Sequence, residues 1–190
     1  MMQPSAFLSI LSVAERLKCS TRHSWTSSGR HESVAEHSWR ITLMAMLCAD
    51  ECPDLNMNRV IRMCLIHDLG EAFTGDIPAF NKTDSDEEVE EQQFFAWVDT
   101  FPEPTRQEFR SLYAEMAALE TKEARLYKAL DKLEALIQHD EADISTWLPL
   151  EYDLQLTYGA DLMDLTPWLR SLRNEVDRVT CEKIETSKHG

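Results

Sequence analysis

The chain has 190 residues, 43% of them hydrophobic and 28% charged, with only 5 glycines and 7 prolines, which excludes collagen-like, low-complexity and turn-rich β proteins. Its net charge of −15 excludes the basic footprint that a nucleic-acid polymer requires, and the longest mainly apolar run, residues 41–49, is too short to span a bilayer.

The charge is uneven. Residues 1–40 hold five basic and three acidic side chains, for a net +2, whereas residues 41–190 carry a net −17. A small anion would therefore be received near the N-terminal part or at a bound cation. Five cysteines (19, 48, 52, 64 and 181) form no CxxC pair; free thiols in a reducing cytoplasm are expected.

In chain order, Phe7, Ile10, Leu11, Ala14 and Leu17 predict a first amphipathic helix rather than a signal peptide. Residues 19–32 read as a polar loop. Ser33-Val-Ala-Glu36 is a capping-box pattern that predicts a helix from there to about residue 50, stopped before Pro53. A third helix fits 56–70, and residues 71–83 read as a loop. The acidic run 84–91 suits a helix N-terminus, where the dipole favours carboxylates. Further helices are expected over 105–118 and 121–139, then a loop over 140–150, and one or two closing helices over 160–184. The sum is an all-α, single-domain helical bundle of six to eight helices covering 1–185, with 186–190 as a disordered tail.

Helical spacing places certain polar residues on apolar faces. His37 shares a face with Ile41, Met44 and Cys48, and His67 with Val60, Met63 and Cys64. Asp68 follows His67, and Asp131 sits at the margin of the apolar face of its helix, with Tyr127, Glu134, Ala135 and Gln138 on its side. A buried carboxylate is costly unless paired, hydrogen-bonded or bound to a cation. Two inward imidazoles and two carboxylates form a donor set suited to one divalent ion, and the set does not choose among Co, Mn, Fe, Ni, Zn or Mg. His139-Asp140 reads as a surface helix end. HESVAEH (31–37) is not a zinc-protease HExxH, because position 35 is alanine.

Taken together, SVAEH (33–37), HDLGEAFTGDIP (67–78) and KALDKLEAL (128–136) resemble the HD-domain metal-dependent phosphohydrolases, in the small branch related to 5′-deoxynucleotidases. The resemblance spans roughly residues 8–140. It implies His37, His67, Asp68 and Asp131 as metal ligands, Glu71 and Asp76 as catalytic acidic residues beside the metal, Arg22 as a phosphate contact, and a homodimer. Where those deoxynucleotidases place a tryptophan after the arginine, this chain has His23, with Trp25 two positions further on; both are candidate substrate contacts, and sugar preference stays open. Two-metal members of the wider superfamily carry additional histidines between the HD pair and the last aspartate. Residues 69–138 contain none, which implies a single metal.

The expected function is removal of phosphate from a nucleoside 5′-monophosphate by metal-activated water. The competing expectations are hydrolysis of another phosphorylated small molecule, such as a nucleoside triphosphate or analogue, and a non-catalytic helical regulator whose metal is structural. Arg30, Arg40, Lys82, Lys128 and Lys132 are further candidate phosphate contacts.

Overall fold

A computed structural model describes residues 2–188 of the chain. Its helices are α1 (Pro4–Ala14), α2 (Val34–Leu47), α3 (Met57–Ile66), α4 (Glu71–Thr74), α5 (Asp84–Val98), α6 (Thr105–Ala118), α7 (Lys122–Glu141), α8 (Glu151–Thr157) and α9 (Pro167–Ser187). Seven of these have ten or more residues; α4 and α8 are short. Of the expected tail, Thr186 and Ser187 extend α9, and the last two residues lie outside the described part.

Local chemistry sets the helix starts. Ser33 Oγ accepts from the amide of Glu36, and the Glu36 carboxylate accepts from the amide of Ser33 at 2.9 Å, which completes the capping box of α2. Thr83 and Asp86 do the same for α5, so its acidic run is a capped helix start. Thr121 caps α7 through the amide of Ala124.

α7 is the central element. Leu126, Leu130 and Leu133 are fully buried against Ile41 of α2, Val60 and Met63 of α3, and Leu169 of α9. α5 and α6 add an aromatic layer, with Phe94 stacked on Tyr113 at 3.8 Å between centroids. These contacts hold α2, the end of α3 and α7 side by side.

Three segments differ from the sequence expectation. Residues 19–32 are not all loop: β1 (Thr21–Trp25) pairs antiparallel with β2 (His31–Ser33). The turn between them needs Gly29 at φ +81, and strands this short leave little alternating pattern to read. α3 stops at Ile66 rather than 70. Residues 67–70 make i→i+3 bonds, such as Leu69 N to Ile66 O, before α4 begins at Glu71. The carbonyl of His67 freed by this break accepts from Tyr113 Oη at 2.9 Å. Finally, α8 falls within residues whose apolar spacing is weak. It is anchored by Gln155, which donates to the carbonyl of Leu136 at 2.6 Å, and by buried Arg173 of α9, which donates to the carbonyls of Gln155 and Tyr158.

Candidate metal centre and adjoining cavity

The break after α3 turns His67 and Asp68 into the interior, opposite His37 on α2 and Asp131 on α7. His37 is fully buried, His67 is 7% exposed, and the side chains of Asp68 and Asp131 are 15% and 14% exposed. Their ligand atoms converge. His37 Nε2 lies 3.1 Å from Asp131 Oδ1 and 3.8 Å from Asp68 Oδ2; His67 Nε2 lies 3.0 Å from Asp68 Oδ2 and 3.6 Å from Asp131 Oδ1.

The far sides of these residues are held by other groups. His37 Nδ1 donates to Glu134, which is fully buried, and His67 Nδ1 donates to the carbonyl of Cys64 at 3.0 Å. Both rings thereby turn an Nε2 lone pair toward the centre. Lys128 Nζ donates to Asp131 Oδ2 at 2.8 Å, leaving Oδ1 to face the imidazoles.

His67 Nε2 and Asp68 Oδ2 are buried and make no hydrogen bond, although they face each other. Ligand atoms 3.0–3.8 Å apart match the edges of a shell whose metal–ligand bonds are about 2.1 Å. The electrostatics agree. Burial and Arg22 oppose protonation of His37, yet Glu134 and Asp131 outweigh them and raise its pKa. Burial likewise opposes His67, but Asp68 and Asp131 push it up to about 10. Against the effect of burial, Lys128 and both imidazoles hold Asp131 well below the usual carboxylate range. The cluster thus favours positive charge at its middle, and the donor set fits a divalent cation.

Around this centre, Arg22 on β1 is ringed by carboxylates: its Nε is 3.3 Å from Glu32, and its Nη1 is 3.5 Å from Asp68 and 3.7 Å from Asp76. Glu71, the first residue of α4, is 5% exposed, and its Oε2 lacks a partner. Burial, then Asp68 and Asp76, push its carboxyl up to about 10 against the pull of Arg22. Burial also raises Asp76, with Arg22 opposing.

Arg22 and Asp76 form one wall of a half-open cavity also lined by His23, Phe80, Tyr158 and Gln155. A second cleft opens over His67 and Asp68 between Lys82, Tyr113, Tyr127 and Lys128.

Residues 14–171 match the HD domain family. The chain belongs to that family. This HD domain is 32% identical to human 5′-deoxynucleotidase HDDC2 over 140 residues, covering 72% of this chain and 68% of that protein. It is 31% identical over 137 residues to 5′-deoxynucleotidase hdd1 of Schizosaccharomyces pombe, covering 67% and 68% respectively. Among solved structures, a predicted metal-dependent phosphohydrolase of Magnetospirillum magnetotacticum superposes with a TM-score of 0.75 at 31% identity, covering 92% of this chain and 95% of that one.

Most of the sequence candidates meet in this part of the HD domain: His37, His67, Asp68, Asp131, Glu71, Asp76, Arg22 and His23. Trp25 does not join them. Its ring packs at a tilt against His31 at 4.0 Å between centroids, and it does not line the cavity. Of the further basic candidates, Arg30 pairs with Glu36, Arg40 with Glu141, and Lys82 with Glu90.

His139-Asp140 does end a helix, but not at the open surface. His139 lies in the last turn of α7, is partly buried beside Glu151 and lines the cavity. Burial holds it below its ordinary pKa against the pull of Glu151. Asp140 accepts from Thr180 Oγ1 of α9, and burial raises its carboxyl to about 6 with Thr180 opposing. A raised carboxylate pKa means that stability is greatest below the unfolded value and is lost as pH rises from about 4 to 6. Asp140→Asn is therefore expected to raise Tm at pH 7.5, by about 1 kcal/mol of stability after solvent screening, and to give no gain at pH 4. Thermal melts at both values check this.

Sequence reasoning gave Glu32, His139, Glu151 and Glu134 no role in the site. Only Glu134 carried a readable signal, since it lies three residues after Asp131 on the same side of a helix. Glu134→Ala is expected to weaken divalent-metal affinity roughly 10- to 100-fold, as measured by chelator competition.

Proposed function

We propose that this HD domain is a metal-dependent phosphohydrolase that removes phosphate from a nucleoside 5′-monophosphate. The carrying observation is the convergence of two imidazole nitrogens and two carboxylate oxygens from α2, the end of α3 and α7, with His67 Nε2 and Asp68 Oδ2 left unbonded at the meeting point. The names of the relatives, 5′-deoxynucleotidases and a metal-dependent phosphohydrolase, support it.

His37, His67, Asp68 and Asp131 would hold one divalent cation at this centre, from among Co, Mn, Fe, Ni, Zn and Mg. When bound, such a cation supplies Lewis-acid polarisation of a phosphoryl oxygen and lowers the pKa of an attacking water. Arg22, already poised between Asp68 and Asp76, offers its guanidinium fork to the phosphoryl oxygens. With a cation held beside Asp68, the Glu71 carboxyl would come down from its raised value, so that Glu71 could take a proton from the attacking water as the new P–O bond forms. The bridging P–O bond breaks, and the proton passes to the departing 5′ alkoxide. Asp76 orients the sugar at the mouth of the cavity, and His23 and Phe80 line the space for the nucleoside. A cation that engages Asp68 would free part of the Arg22 charge from its carboxylate partners, and this is how a chain of net charge −15 receives an anion.

The test is a phosphate-release panel of ribo- and deoxyribonucleoside 5′-mono-, di- and triphosphates, run on chelator-treated protein reloaded with each metal. Release from monophosphates supports the reading. Release only from triphosphates, or from none of them, overturns it.

We further propose that the protein works as a homodimer in the cytoplasm. Trp39, Leu43, Met46 and Leu47 line one face of α2 at helical spacing and are exposed, Trp39 by 63% and Leu47 by 75%. The occupant that fits this apolar stripe is a second copy of the chain. Trp39→Glu is expected to raise the dimer Kd roughly 30-fold, as read by light scattering across a dilution series. All five cysteines are free, which suits a reducing compartment, and among the described residues no helix is long and apolar enough to cross a membrane.

A further inference from the structure

A second set of metal-type ligands meets on another wall of the cavity, away from the four residues of the HD centre. His23 Nε2 lies 3.0 Å from Glu151 Oε1, and His139 Nε2 lies 3.6 Å from the same oxygen. One ligand atom from each residue lies within 4.8 Å of the other two. The three come from separate elements: β1, the last turn of α7 and the first residue of α8.

This cluster has the marks of a supported site. Glu151 is 3% exposed, and its second oxygen accepts from the amide of Leu148 at 2.6 Å, which fixes Oε1 between the two rings. His23 Nε2 is buried and makes no hydrogen bond, although it sits 3.0 Å from that oxygen. A His–Glu–His network held by hydrogen bonds alone would satisfy that nitrogen. Separations of 3.0 and 3.6 Å match the edges of a coordination shell with bonds of about 2.1 Å.

We propose that His23, His139 and Glu151 form a second cation site, one that takes a borderline divalent transition ion such as Zn²⁺, Co²⁺ or Ni²⁺. Two imidazoles with one carboxylate suit such ions better than Mg²⁺ or Ca²⁺. Three protein ligands leave coordination positions open. Arg22 lines the same cavity, but its charge is already matched by Glu32, Asp68 and Asp76. The absence of histidine from residues 69–138 bears only on the HD centre, because of the two histidines used here His23 precedes that window and His139 lies one position beyond it.

The experiment counts Co²⁺ and Zn²⁺ bound to chelator-stripped full-length protein by equilibrium dialysis, with Co²⁺ visible absorption as a second readout. Wild type is expected to bind two equivalents and Asp131→Ala one. Asp131→Ala combined with either His139→Ala or Glu151→Gln is expected to bind none, or to bind at least tenfold more weakly. Circular dichroism verifies folding, and the near-isosteric Glu151→Gln and His23→Gln decide the matter if His139→Ala does not fold. The proposal is overturned if Asp131→Ala binds no ion, or if adding Glu151→Gln or His23→Gln changes neither stoichiometry nor spectrum. Two equivalents retained by Asp131→Ala would instead count against the HD centre, and the Glu151→Gln and His23→Gln comparison would still decide this site.

Discussion

Asp131→Ala is expected to empty the HD centre and to lower kcat/KM for nucleotide hydrolysis by roughly 10³-fold or more. One carboxylate here serves three nitrogen groups. Its Oδ1 lies 3.1 Å from His37 and 3.6 Å from His67, and its Oδ2 accepts from Lys128 at 2.8 Å. Removing it deletes a ligand and the negative charge that lets two imidazoles and a cation share a buried space. It also strands the Lys128 ammonium, whose pKa is raised first of all by Asp131, so part of the damage will be structural. Asp131→Asn separates the two effects. It keeps the volume and one acceptor oxygen but not the charge, so it should lose the cation at this centre with a smaller fall in Tm. Metal content, thermal melts and phosphate release on the two variants provide the check. Full activity in both would mean that this aspartate has no part in the chemistry.

The framework of this centre was legible from the sequence because the relevant helices are regular where it matters. His37 heads an apolar stripe on α2, and Asp131 sits on the edge of the stripe of α7; 3.6-residue periodicity carries both. The capping box of Ser33 and Glu36 fixed the start of α2 for the same local reason. What periodicity cannot carry is the path of the chain once a helix ends. Residues 67–70 were expected to continue α3, but α3 stops at Ile66 and the chain tightens through i→i+3 bonds before α4. Hairpin β1–β2 was missed because three- and five-residue strands leave too few alternations to read. The hairpin delivers Arg22, His23 and Glu32 together, so Glu32 had no sequence signal at all. Glu151 was invisible for a similar reason. It follows a proline-containing loop, and its value comes from proximity to His23 and His139, 128 and 12 residues away along the chain. His139 itself was misjudged because its polar neighbours suggested a solvated helix end, whereas α8 folds back and covers it.

Glu71→Gln is expected to lower kcat roughly 10²- to 10⁴-fold while leaving bound metal and KM little changed. The side chain begins α4, is 5% exposed and carries an unbonded oxygen in the neighbourhood of Asp68 and Asp76. Its position is held from behind. Gly70 lets α4 lie against Glu90, whose Cγ would be 2.6 Å from a Cβ added there. A glutamine keeps the volume and the acceptor oxygen but cannot take a proton from water. If Glu71 merely started α4 or solvated a helix end, glutamine would serve nearly as well and kcat would hold. If Glu71 instead bound the cation, the substitution would lower metal content along with rate. A fall in kcat at constant metal content and KM is the one pattern that assigns it proton transfer. Steady-state kinetics and elemental analysis on the same preparation distinguish the three outcomes, and Asp76→Asn supplies the contrast, since a group that orients the sugar should act more on KM than on kcat.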